Sequence, residues 1–361
     1  MKRIIFTLTN DLTYDQRMSK ICNSLAQNGF DVLLVGFKKK SSVSLSKKIY
    51  RQKRLSLFFE RGPLFFIEAT ARLFFFLLFS KSDIICADDL DTALPVLFAS
   101  ALRNKKRVFD AHELFCDMHD VVTRPRIRII WKKIERFVQP KFPVGYSANA
   151  DYAAQYKKMY GVNYFTIVNC PRLVDTDIFN KKKENLLLYQ GAVERGRGFE
   201  QLIPAIKNMN VQLLVCGDGK YMDELKQLAI NENVLHKIIF AGYIVPEKLP
   251  EYNHEAYIGM NVNDGFGASF YYSLTNRFFD YMHAGIPQIA NNNPQNKLIN
   301  DQYEIAILVD EITVEAVQSA IIKLLTDKDL HARLQQNCFQ ARQIYNWQNE
   351  EKKLIEFYSK L

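Results

Sequence analysis

Short apolar runs alternate with stretches of helical periodicity along most of this chain. Residues 3–9 form an apolar run closed by Thr9-Asn10-Asp11, and Met18, Ile21, Leu25 and Ala26 then mark one face of a helix that Gly29 closes. Residues 31–36 (Asp-Val-Leu-Leu-Val-Gly) give a second run. Strand, helix and strand at this spacing predict a βαβ unit, and hence a parallel sheet. The alternation continues with strands at 82–86 and 106–109 and a helix between them. A basic helix over 124–138 places Ile127, Ile130, Trp131, Ile134 and Phe137 on one side, and short strands near 145–149 and 164–168 flank a helix over 150–160. A charged stretch from Asn169 to Glu184, poor in hydrophobic residues, predicts a boundary. Beyond it the pattern restarts, with strands at 185–190, 212–216, 237–242, 256–262 and 288–290. Helices at 314–325 and 330–344 and a last one from Trp347 to Leu361 complete the chain. The expected fold class is α/β, with two Rossmann-like domains at 1–170 and 171–343 and a terminal helix at 344–361. A length of 361 residues suits two cores rather than one.

Composition changes this picture only at the margins. The net charge of +9 favours anionic partners such as nucleotide phosphates or anionic lipid, and no motif supports nucleic acid. Six cysteines without a C-x-x-C pair fit reduced thiols in a cytoplasmic compartment and argue against a zinc site. The first residues lack the apolar core of a signal peptide. Residues 38–54 carry eight Lys and Arg with almost no acid, and a Phe-rich run follows to Phe79. Glu60, Arg61, Glu68 and Arg72 interrupt that run, so no membrane-spanning segment is expected. Two readings of residues 38–79 remain: a solvated loop followed by a helix packed on the sheet, or a basic, aromatic-edged surface that docks on an anionic membrane.

Candidate chemistry gathers where the strands end, because ligands of parallel sheets sit at the strand C-termini. Asp15 and Arg17 follow the first strand, where a local ion pair is the alternative to a ligand contact. Asp88, Asp89 and Asp91 follow the 82–86 strand; two fall at a helix start, where acids favour the dipole, and no metal is expected. His112 and Glu113 follow the 106–109 strand. A His there can hydrogen-bond a ligand or hold charge near a bound anion, or simply cap its own helix. In the second half, the loop from Gly191 to Gly198 carries Arg195 and Arg197 between a strand and a helix, a setting that suits phosphate oxygens. Gly217-Asp218-Gly219 is a tight turn, and Tyr243-Ile244 leaves the 237–242 strand. The stretch 271–290 organises the rest: Ser273, Thr275 and Asn276 can cap a helix, Phe278, Phe279, Tyr281 and Met282 line its buried face, and Gly285 and Pro287 end it.

The string Ser273-Leu274-Thr275-Asn276-Arg277-x-x-Asp280-Tyr281-Met282-x-Ala284-Gly285-x-Pro287 resembles the donor motif of retaining GT-B glycosyltransferases of the family 4, or group 1, type. Asp15-x-Arg17, Asp88-x-x-Asp91, Asp110-Ala111-His112-Glu113-Leu114, the Arg197-Gly198 loop and Gly217-Asp218-Gly219 follow in family order. The resemblance implies two Rossmann-like domains facing a cleft, with the last helix crossing back to the first domain. It implies metal-independent sugar transfer, with retention, from a UDP- or GDP-linked sugar to a glycan or lipid-linked acceptor, as in surface-polysaccharide assembly, and no cofactor. Asp280 takes the position that binds the ribose hydroxyls. Arg197, with Gly191, Arg195, Gly198 and Gly217, takes the diphosphate side. Tyr243 and Ile244 flank the base, and Ser273 to Arg277 hold the leaving group. His112 faces sugar transfer, while Asp15, Arg17, Asp88, Asp91 and Glu113 lie on the acceptor side. The resemblance also implies a cytoplasmic protein, peripheral on the inner face of the membrane. Two family positions differ: Ala192 replaces a usual Arg, and Tyr272 a frequent Glu. A catalytically silent sugar-nucleotide-binding subunit and a sugar-nucleotide 2-epimerase of the same fold stay open beside the transferase.

Overall fold

A computed structural model of the chain describes residues 1–174, 182–265 and 267–361. The described residues form two compact units, one of residues 1–169 and 350–361, the other of 170–349. The predicted boundary residues from Asp175 to Lys181 lie outside the described residues.

In the first unit, β1 (Arg3–Thr7), β2 (Asp31–Lys38), β3 (Arg51–Ser56), β4 (Ile84–Asp88), β5 (Lys106–Ala111), β6 (Gly145–Ser147) and β7 (Phe165–Thr166) make one sheet. Their order is β3-β2-β1-β4-β5-β6-β7, and these neighbours all pair in parallel. The strand order reverses between β1 and β4, and such a switch point leaves room for a ligand beyond the C-terminal ends of the strands. β3 is an addition to the expected elements, beginning within the basic stretch at 38–54. Its arginines serve the fold: Arg51 bonds Asp31, and Arg54 donates from Nε to the Asp11 carbonyl and from Nη2 to Thr13 Oγ1. An edge strand lined with cations resists pairing with a second chain, which explains how so charged a segment can be a strand.

The helix Gly62–Phe79 buries Phe65, Ala69, Leu73 and Leu77, one residue per turn. It is 18 residues long with a mean hydropathy of 1.6, enough by length and composition to cross a membrane. The last helix, Trp347–Ser359, begins in the second unit and joins the first. There Tyr358 is fully buried, with its ring 5.8 Å from Phe6 and its hydroxyl 3.3 Å from that of Tyr146.

In the second unit, β8 (Leu186–Gln190), β9 (Gln212–Cys216), β10 (Ile238–Gly242), β11 (Ile258–Asn261), β12 (Gln288–Asn291) and β13 (Ala306–Val309) pair in the order β10-β9-β8-β11-β12-β13, again parallel. β8 is central and buried throughout, which is why Leu-Leu-Leu-Tyr-Gln reads as a continuous apolar run rather than an alternating one. Phe199, Leu202, Ile203 and Ile206 cover one face of the sheet, while Tyr281, Ala284 and Ile286 pack on the other. The two alternating α/β units match the Rossmann-like architecture that the sequence predicts.

Candidate functional site

Each unit concentrates polar side chains at the C-terminal end of its central strands. In the second unit this happens where β8 ends. Gly191 follows Gln190, and the loops after β8 and β9 touch backbone to backbone: a Cβ on Gly217 would lie 1.8 Å from the Gly191 carbonyl oxygen. Only glycine fits there, which gives the Gly-Asp-Gly turn a packing role. The Gly191 amide donates to the Cys216 carbonyl and the Val193 amide to that of Asp218, so the junction is fixed by hydrogen bonds as well.

Facing this junction is the helix Asn276–His283, capped by Thr275, whose hydroxyl accepts from the Phe278 amide. Phe278, Phe279, Tyr281 and Met282 are buried as the apolar pattern predicts. Tyr281 donates its hydroxyl to the Leu188 carbonyl and locks this helix onto β8. Asp280 is half-buried, and the Gln190 amide donates to its Oδ2. Arg277 is 6% exposed. Its Nε donates to Asn261 Oδ1 at 2.8 Å, its Nη1 reaches the Gln190 carbonyl at 3.4 Å, and its guanidinium stacks 4.6 Å from the Tyr189 ring centre. Its Nη2 is buried without a hydrogen-bond partner among the described residues. Nη1 also lies 3.9 Å from where a Gly191 Cβ would stand, so this cation borders the glycine junction.

The remaining predicted residues of this unit are less uniform. Arg195 is exposed, pairs with Glu224 and stacks over Tyr221. Arg197 is half-buried, with its guanidinium 4.9 Å from the Phe270 ring centre. Ser273 is tied to the same residue, its Oγ donating to the Phe270 carbonyl, so Arg197 and the Ser273 turn are neighbours. Gly198 holds φ +76° at the start of the helix Phe199–Ala205 and abuts Val262. Leu274 is half-buried and Asn276 exposed, while Tyr243 is exposed and Ile244 packs beneath it on the sheet.

Sequence reasoning missed Gln190 and Asn261. Gln190 holds Asp280 and Arg277 together, and Asn261 Oδ1 accepts from both Thr275 Oγ1 and Arg277 Nε. Each is a buried amide closing an apolar strand, and that position was the available signal.

In the first unit, the end of β5 meets the end of β4. His112 Nε2 lies 2.7 Å from Asp88 Oδ1 and 3.2 Å from Asp110 Oδ2. The backbone amide of His112 donates to Asp89 Oδ1. Asp110 also bonds Arg17, Nη2 to Oδ1 at 2.9 Å. Arg17 therefore pairs across the sheet rather than with Asp15, which caps the helix Gln16–Gln27 through the Met18 amide. Asp91 accepts from Thr9 Oγ1. Glu113 contributes its carbonyl to the Tyr156 hydroxyl.

Burial pushes the Asp88 carboxyl up to about 7 despite the imidazole beside it. Burial also disfavours charge on Asp110, yet Arg17 and then His112 hold it down at about 2. His112 loses hydration by burial, but Asp110 and Asp88 raise its pKa well above the ordinary imidazole value. Asp88, Asp110 and His112 present their ligand-type atoms within 4.8 Å of one another, a donor set that could hold a metal ion. Arg17 and the imidazole already supply positive charge to it.

Comparison with known proteins agrees with the motifs of the second unit. The model of the family "Glycosyl transferases group 1" matches residues 175–341. The chain carries a group 1 glycosyl transferase domain. Among curated relatives, the alpha-monoglucosyldiacylglycerol synthase of Streptococcus pneumoniae is 34% identical over 95 residues, which are 26% of this chain and 20% of the relative. The GDP-mannose-dependent alpha-(1-6)-phosphatidylinositol monomannoside mannosyltransferase of Mycobacterium tuberculosis is 25% identical over 148 residues, 37% of this chain and 36% of the relative. The matched stretches thus span between a fifth and just over a third of these two relatives' own length. Among solved structures, sucrose-phosphate synthase of Thermosynechococcus elongatus superposes with a TM-score of 0.80 at 17% identity, covering 100% of this chain and 99% of that one. Anabaena HepE in complex with UDP-glucose gives 0.78 at 12% identity and covers all of both chains. At these identities the likeness is one of fold alone.

Proposed function

We propose that the protein transfers a sugar from a nucleoside-diphosphate sugar to a glycan or lipid-linked acceptor, without a metal and with retention of configuration. The observation that carries this reading is Arg277 Nη2, a buried cationic donor with no hydrogen-bond partner among the described residues, beside the Gly191–Gly217 junction and one turn ahead of Asp280. A diphosphate supplies the acceptor oxygens that this nitrogen needs, and a buried guanidinium binds them strongly. Arg277 then takes over the charge that the family places at Ala192.

In this reading Asp280, steadied by Gln190, binds the ribose hydroxyls, and Arg197 with the Ser273 turn stabilises charge on the leaving diphosphate. Tyr243 and Ile244 border the base. The first unit has the acceptor side, with His112 as the polar group toward the transferred sugar. HepE was solved with UDP-glucose, and the names of two curated relatives specify lipid products or acceptors, which supports a sugar nucleotide and a lipid-linked partner. A site on the cytoplasmic face of a membrane, in surface-polysaccharide assembly, fits the same partners.

Calorimetric titration of UDP- and GDP-sugars into the protein and its Arg277→Met and Asp280→Ala variants tests the proposal. Tight binding of one sugar nucleotide, weakened in both variants, is the expected result. Failure of every sugar nucleotide to bind removes it. Donor hydrolysis or epimerisation without an acceptor would favour the epimerase, and binding without turnover the silent subunit.

A further inference from the structure

The helix Asn276–His283, which carries Arg277 and Asp280, is eight residues long. A helix that short holds no fixed direction by itself, so its orientation comes from whatever grips its ends. At its start, Asn261 Oδ1 accepts from Thr275 Oγ1 and Arg277 Nε. Its end is gripped as completely. The carbonyls of Asp280, Tyr281 and Met282 accept from the amides of Ala284, Ile286 and Gly285. Carbonyls beyond these need partners from outside the helix, and side chains supply them. Arg342 Nη1 donates to the His283 carbonyl at 3.0 Å and Lys182 Nζ to that of Ala284 at 3.3 Å. Gln335 Nε2 donates to the Gly285 carbonyl at 3.1 Å and Cys338 Sγ to that of Ile286 at 3.8 Å. Three of these four donors stand on the helix Lys328–Ile344. Gly285, at φ +61°, has no Cβ to hold off Phe339 of that helix, whose Cζ would lie 2.1 Å from one.

Two of the four donors are cations drawn out of water. Arg342 is buried, and its guanidinium stacks 4.8 Å from the Phe339 ring centre. Lys182 is half-buried. Among the described residues it bonds two carbonyls, those of Ala284 and, at 3.1 Å, Ala256, and no carboxylate. Lost hydration pushes its ammonium down to about 8. A cation without a counter-charge adds little to stability, and an apolar side chain of similar length would serve the core as well. Its placement serves geometry instead. Ala256 stands just ahead of β11 and Asn261 ends that strand. Lys182 therefore ties the tail of the helix to the strand whose other end holds Thr275 and Arg277. Cations also suit the negative end of a helix dipole. We infer that Lys182 and Arg342 are positioning residues of the donor site, which from the far end of this helix hold Arg277 and Asp280 where a sugar nucleotide meets them. The inference rests on the sugar-transfer reading for its ligand, while the clamp is a property of the free protein.

Amide hydrogen exchange on the free full chain, and calorimetric titration of UDP-glucose and GDP-mannose into it, test the inference with Lys182→Met and Arg342→Met. In both variants the amides of residues 280–284 should exchange on the order of tenfold faster, while those of the helix Val314–Thr326 in the same unit keep their wild-type rates. Lys182→Met should keep the wild-type unfolding temperature, yet bind the sugar nucleotide on the order of tenfold more weakly, the scale of a small displacement of binding groups. Arg342→Lys keeps a cationic donor for the His283 carbonyl and should restore both exchange and affinity. Unchanged exchange in both variants overturns the inference. So does equal acceleration across the unit, or a lowered unfolding temperature with donor affinity intact, since the two cations would then serve stability alone. A wild type that binds neither sugar nucleotide overturns the assignment to a donor site and counts against the sugar-transfer reading, whereas exchange on the free protein decides the clamp either way.

Discussion

Arg17 Nη2 stands 2.9 Å from Asp110 Oδ1 across 93 residues of sequence, and both side chains are buried. Asp110 in turn touches His112, so a charge on the first helix fixes the imidazole at the end of β5. Removing one member of a buried pair strands the other. Arg17→Met should lower the unfolding free energy by roughly 3–5 kcal/mol, read by urea denaturation. A loss below about 1 kcal/mol, the worth of an exposed pair, would contradict this account.

The same cluster sets a pH dependence. Asp110, held at about 2, contributes stability above the ordinary carboxyl pKa that is lost as pH falls through about 2. Asp88 acts in the opposite sense. Its folded value of about 7 exceeds the unfolded 3.8, so its contribution is complete below 3.8 and is lost as pH rises through about 7. Melting temperatures of the wild type should therefore decline between these values relative to Asp88→Asn. Parallel curves for the two proteins would refute the assignment.

At the second unit, Arg277→Met should weaken sugar-nucleotide binding at least about tenfold, the loss of one charge-assisted contact. Arg277→Lys should not restore it, because the single nitrogen of a lysine cannot occupy the separate Nε, Nη1 and Nη2 positions that face Asn261, the Gln190 carbonyl and a phosphate. Full rescue by lysine, measured by calorimetry, would show that only net charge matters.

Gly217→Ala tests the glycine junction. The added methyl would meet the Gly191 carbonyl oxygen, and the two loops must part. A loss of roughly 1–3 kcal/mol is expected from the overpacking, with weaker donor binding. A variant as stable as the wild type would mean that the loops are free to separate.

Chelation addresses the cluster of Asp88, Asp110 and His112. Because Arg17 already balances charge there, EDTA should leave sugar transfer unchanged. Activity lost on chelation and restored by a divalent cation would assign that cluster to a metal.

The sequence alone determined the alternation of buried strands and one-sided helices, and with it two parallel sheets, because periodicity is a local property of the chain. It also determined where the chemistry could lie, since strand ends, glycine turns and the capped helix at Thr275 are punctuated by residue type. Tertiary structure decided which charges meet. Arg17 left its neighbour Asp15 for Asp110, Arg195 turned to Glu224, and Arg277 became the buried cation beside Gly191. It decided too that Ile129 and Ile130 stay in solvent and that Arg51 and Arg54 staple an edge strand. A guanidinium can reach any carboxylate or carbonyl that folding brings near it. An amphipathic pattern, likewise, tells only that a helix has an apolar side, and not what will cover it.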